Sequence, residues 1–127
     1  MAGTFGDFLE SGVLNHVFGG ITFTPPSFIF LALSKANPLD DCSGLSEPAA
    51  GSGYARCVIA NNKTSWTTAV GNQLSNAIDF TFPEAIGSWG LITHFALLTS
   101  SGIGNTSGLL GHADLTTSKQ VDAGDIP

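Results

Sequence analysis

The sequence predicts an all-β domain: a β-sandwich or jelly-roll-like barrel of about seven short strands, with one N-terminal amphipathic helix. Two stretches, Ser27–Ser34 and Trp89–Ser100, are apolar on both faces when read with a period of two, as strands covered on both sides must be. Turn-forming clusters such as Asn61-Asn62-Lys63 and Gly71-Asn72 recur between the other apolar runs. Helical spacing is confined to the first twenty residues or so.

In chain order, Thr4 to Phe18 carries Phe5, Phe8, Leu9, Val13 and Val17 on one broad stripe, which is expected to pack as core. Thr4 is the expected cap, Asp7 sits near the positive helix end, and Gly19-Gly20 supplies the stop. Gly12 weakens the interior by about 1 kcal/mol relative to alanine. Pro25-Pro26 then forbids both helix and ladder bonding. In the Ser27–Ser34 strand, Phe28, Phe30 and Ala32 oppose Ile29, Leu31 and Leu33, making it the natural neighbour of the Trp89 strand.

Lys35 to Gly53 reads as a long loop rich in proline, glycine, serine and acids, a length usually reserved for function or disorder. Its acids Asp40, Asp41 and Glu47, with Ser43, invite a calcium reading, but their spacing is not that of an EF-hand loop. A solvated acidic loop is the expectation. Tyr54–Ala60 is a strand with Tyr54, Arg56 and Val58 on one face. Ser65–Val70 and Leu74–Phe82 are two more, the second placing Leu74, Asn76, Ile78, Phe80 and Phe82 inside. In the Trp89 strand one face holds Trp89, Leu91, Phe95 and Leu97, the other Ile92, Ala96 and Leu98, interrupted by His94. Leu109–Leu115 and Lys119–Val121 complete the set. No internal boundary appears, so residues 1–127 form one expected domain, with the helix at about 4–18 and the β-domain at about 27–127.

Composition narrows the function. Charged residues are 11% of the chain and the formal net charge is -6, with four scattered cations, which argues against nucleic-acid binding. The longest apolar runs fall short of the roughly 20 residues of a membrane span, and no secretory signal opens the chain. Cys42 and Cys57 are expected as free thiols, and no His/Cys spacing suggests a metal. His16, His94 and His112 lie in different elements, and no nucleophile–base pair or phosphate-cradling glycine loop is present. No enzyme activity and no cofactor are therefore expected. A structure placing His94 or His112 within hydrogen-bond reach of a serine or carboxylate in an open pocket would overturn this.

Several blocks carry a resemblance: Leu14-Asn15-His16-Val17-Phe18-Gly19-Gly20, Phe23-Thr24-Pro25-Pro26, Asn37-Pro38-Leu39-Asp40-Asp41, Gly53-Tyr54-Ala55-Arg56, Phe82-Pro83-Glu84-Ala85, Trp89-Gly90-Leu91-Ile92-Thr93-His94 and Val121-Asp122-Ala123-Gly124-Asp125. In this order they resemble a family of small tailed-bacteriophage virion proteins, labelled variously as tail-fibre, minor tail or head-decoration proteins. The resemblance implies a structural role in the virion, assembled in the host cytoplasm. It also implies a strand beyond the Gly124-Asp125 turn, where this chain ends at Ile126-Pro127, leaving an edge open or completed by a partner.

The expected function is a capsid decoration (cement) protein bound to the outside of the head, its partner the major capsid protein or another virion protein. The alternatives are a tail-fibre or baseplate component contacting the host, or a carbohydrate-binding module using Trp66 and Tyr54. Two strands apolar on both faces in so short a chain further suggest an oligomer, expected as a homotrimer. The Lys35–Gly53 loop, with Asp40, Asp41 and Glu47, and the Gly19–Pro26 segment, with Pro25 and Pro26, are the expected partner contacts.

Overall fold

The computed structural model describes residues 3–71 and 74–125. The elements run β1 (Gly3–Phe5), α1 (Asp7–Gly19), β2 (Phe28–Ser34), β3 (Cys57–Ala60), β4 (Gly90–Leu98) and β5 (Leu109–Val121), with a short 3₁₀ turn at Ala50–Ser52. The strands form one sheet in the order β1-β5-β4-β2-β3, every neighbouring pair antiparallel. The mostly β reading holds. The described strands number five rather than about seven, and among the described residues no second sheet faces the first to make a sandwich.

β2 and β4 do lie side by side, with Leu31 opposite Leu97 and Ala32 opposite Ala96. The two faces of this pair are covered by different means, and one of them only in part. Leu33 packs with Tyr54, Phe82, Ala85, Trp89, Ile92 and Val121 on one side. Trp89 is fixed there by its indole N–H, which donates to the Ser52 carbonyl at 2.9 Å, and by an edge contact to Tyr54. On the other side Ala32, Ala96, Leu98 and Leu109 pack under Cys42 and Leu45 of the long loop. Pro38 and Pro48, also in that loop, are fully buried. The loop is thus a lid on its own sheet.

Simple alternation fails in β4. A register irregularity in the β4–β5 ladder lies between Ile92 and His94, and Ile92 joins the same cluster as Trp89 while Leu91 is half exposed. A bulge shifts the strand's phase, so a face read with strict period two is misassigned beyond it. The two expected C-terminal strands are one continuous β5, because the irregular stretch is carried through rather than ending the ladder.

Ser65–Val70 and Leu74–Phe82 are not strands among the described residues; they are joined by isolated bridging, as between Trp66 and Asn76, and by a few backbone hydrogen bonds. A two-stranded ribbon without further pairing is marginal, and here Leu74 and Ile78 are exposed where they were expected inside. Phe82 alone of the five expected inward residues is buried.

The helix departs most from expectation. Thr4 and Phe5 belong to β1, and the N-cap is Gly6, with no side-chain cap. The first free amide is met instead by the Asp40 carbonyl, 2.8 Å from the Asp7 nitrogen. A side chain at Gly6 would run into the Leu109 backbone, so the close docking of the helix start on β5 requires glycine there. Gly20 does stop the helix, in the left-handed conformation at φ 66°. Yet no residue of α1 is buried, and Val13 and Val17 stand in solvent. The stripe does not pack as core, and the apolar residues off it, Leu14 and Phe18, are exposed as well.

Candidate functional site

Asp40 and Asp41 reach a surface recess of about 510 Å³ lined also by Asp7, Asn37, Leu39 and His112. Leu39 sits at φ 65°, a conformation unusual for a side chain of its size, and Asn37 Oδ1 accepts its N–H at 3.0 Å. Asp41 accepts from the Ser43 side chain and from the Ser43 N–H, the latter at 3.0 Å, and these bonds stabilise the charged carboxylate and lower its pKa. Asp40 Oδ1 lies 3.0 Å from Nε2 of His112, whose side chain is largely buried. The carboxylates of Asp7, Glu10 and Asp40 come within 4.8 Å of one another, all on exposed residues. The recess is acidic and open.

Glu47, expected to face a partner with Asp40 and Asp41, is turned inward and does not share their surface. Its side chain and that of Arg56 are almost wholly buried, with Arg56 Nη2 donating to Glu47 Oε1 at 2.6 Å and Nε to Oε2 at 3.0 Å. Tyr54 donates its hydroxyl to Oε2 at 2.5 Å, and the Gly104 N–H donates to Oε1 at 2.8 Å. Burial by itself would raise the carboxyl's pKa, but the bonds from Arg56, Tyr54 and Gly104 outweigh it and the net shift is downward. Burial, with the hydrogen bond to Glu47, pushes the Tyr54 hydroxyl far up. Arg56 spends its remaining donors on the carbonyls of Ser100 and Asn105 at 2.7 and 2.8 Å. One buried pair thereby ties the long loop to the β4–β5 connection. Period-two reading did put Tyr54 and Arg56 on one face, but nothing local marked Glu47 as their partner.

Pro25 is exposed and Pro26 half-buried, its carbonyl accepting the Asn61 side-chain N–H at 2.8 Å. These two stand apart from the acidic recess, so the expected contacts do not form one site.

A second feature escaped the sequence reading. On the sheet face that carries Leu31, Leu33, Phe95 and Leu97, two adjoining apolar hollows of about 660 and 360 Å³ share Trp66, Leu74 and Leu97. The smaller is lined also by Leu9 of α1. Trp66 packs edge-on against Phe80 at 5.5 Å, and its indole nitrogen is buried without a hydrogen-bond partner among the described residues. Tyr54, the other aromatic considered for sugar binding, is core.

A histidine within hydrogen-bond reach of a carboxylate in an open pocket was the arrangement set against a non-enzymatic role, and His112 with Asp40 has that geometry. His94 pairs with the Thr93 hydroxyl at 2.8 Å. Both cysteines are free, and burial raises the pKa of each; Cys42, in the long loop, is fully enclosed.

Comparison with known families bears out the class that the resemblance implied, small virion proteins of tailed phages. The family described as "Podophage GP4 fiber I protein gp80" matches residues 4–127, and the chain belongs to it. Among curated proteins none matches the chain.

Proposed function

We propose that the chain is a structural subunit of the phage fibre apparatus, working through protein contacts rather than turnover. The observation that carries this is the fibre-family match over residues 4–127. It favours the tail-fibre alternative; nothing in the family description supports the head-decoration reading, which gives way to it. The fold agrees with a role in contacts: a sheet with an open apolar hollow, an acidic recess and an uncovered helix offers several separate surfaces.

Location and copy number test this together. Gold-labelled antibody against the chain should decorate the tail end of purified virions, and quantitative mass spectrometry should return a small number of copies, as closed cyclic assemblies contain. Label spread over the head, with hundreds of copies, would restore the decoration reading.

A further inference from the structure

We propose that the two adjoining apolar hollows form one trough for a single-chain amphiphile with an anionic head, the head at Lys63 and the tail along β2, wherever in the virion the chain sits. The smaller hollow lies against Ile29 and the larger against Leu31 and Leu33, with Leu97 shared between them. The three β2 positions alternate, so they share a face and span about 13 Å of strand. Trp66 and Leu74, from the segment that follows β3 rather than from the sheet, border both hollows. At about 360 and 660 Å³, each falls in the roughly 300–1,000 Å³ range of small-ligand sites. A trough walled by a sheet and by a separate segment admits a thin apolar chain, whereas a broad protein surface would find no flat seat there.

Charge sets the sign of the head and the end at which it sits. Among the described residues that line the hollows, Lys63 and Asp79 alone are charged, and they line different ones. Lys63 stands with Asn61 and Asn62 at the Ile29 end, and Asp79 stands with Ser75 and Asn76 at the Leu33 end. Lys63 donates one N–H to the Thr67 carbonyl at 2.9 Å and keeps two for a ligand. Asn62 accepts the Thr64 N–H through Oδ1 at 3.0 Å, which leaves its amide N–H groups as donors. Asn76, at the other end, already donates its side-chain N–H to the Ile78 carbonyl at 2.8 Å. A carboxylate head is therefore attracted and hydrogen-bonded at Lys63 and repelled at Asp79. Its tail covers the apolar side chains between them, among which Leu74 is 52% exposed.

Calorimetry of the full chain with octanoate, decanoate and dodecanoate, each below its micelle concentration, tests it. Saturable binding is expected, tightening about fourfold with each added methylene until the trough is full. Lys63→Gln should weaken decanoate binding about five-fold, the size of an exposed ion pair, and leave decanol binding unchanged. Leu74→Asp, at a position bordering both hollows, should abolish binding of both compounds with the near-ultraviolet signal of buried Trp89 intact. Absence of saturable binding overturns the proposal and leaves the hollows to an apolar side chain of another virion protein. Equal affinity for decanoate and decylamine overturns it too, as does a decanoate affinity unmoved in Lys63→Gln. Capture by anionic vesicles without binding of the free acids would assign the surface to a membrane and overturn it as well. Should Leu74→Asp not fold, the wild-type chain-length series decides together with Lys63→Gln, which alters an exposed side chain.

Discussion

Arg56 and Glu47 are the residues on which the loops depend most. A buried pair is a poor source of net stability, because removing two charges from water costs nearly what their attraction returns. Breaking it is another matter. Glu47→Gln leaves a guanidinium enclosed without its counter-charge and should destabilise the fold by about 3–5 kcal/mol, a large part of a usual total of about 5–15. The urea midpoint would measure this. Replacing both by Met and Gln should cost less than the single change, a double-mutant result that separates the pair's worth from the cost of an orphaned charge. Acid acts through the same carboxyl. Its folded pKa lies below the ordinary glutamate value, so its contribution is complete above that value and fades as pH falls through the lowered one. Stability of the wild type should therefore drop on acidification below the ordinary carboxylate range, with a shallower drop in Glu47→Gln.

At the scale of elements, α1 shows how context reverses a propensity. Alanine ordinarily stabilises a helix interior over glycine by about 1 kcal/mol. A methyl at Gly12, however, would run into the Phe23 ring, which itself rests tilted on Phe8 at 5.9 Å. Gly12→Ala is expected to bring no gain in thermal midpoint, and a loss if Phe23 cannot shift. A clear rise would show that the Phe23 contact contributes little. Gly108 makes the complementary case in the β4–β5 connection. It holds φ 74° and lies so close to Thr99 that a side chain would overlap it. Gly108→Ala should destabilise by more than about 1 kcal/mol, and by more than Gly104→Ala, where φ 80° strains an alanine but nothing lies near the missing side chain.

For the whole molecule, charge and apolar surface oppose each other. A net charge of -6 makes copies repel, while the apolar side chains that α1 leaves exposed would gain from being covered. Salt separates the two forces. Screening weakens repulsion between like charges and leaves apolar burial intact, so raising ionic strength through the physiological range should hold or strengthen self-association. Association that weakens with salt would mean that ion pairs dominate the contact, and light scattering across a salt series would show it. The expected attachment through Asp40, Asp41 and Glu47 must be divided accordingly. Asp40 and Asp41 remain on the surface, whereas Glu47 is committed to Arg56.

Read alone, the sequence determined what periodicity and local stereochemistry can encode. The two-faced apolar runs became adjacent β2 and β4, Gly20 ended the helix, and the ordered blocks pointed to the phage virion family. Tertiary structure decided what covers each apolar face, since that depends on residues far apart in the chain. It folded the long loop onto the sheet through Cys42, Pro38 and Pro48, paired Glu47 with Arg56 nine positions on, and moved Ile92 to Trp89's side across an irregular ladder. It also left α1 uncovered. The same apolar stripe serves a buried helix or an exposed one, because hydrophobic burial is non-directional and only the fold determines where a covering surface lies.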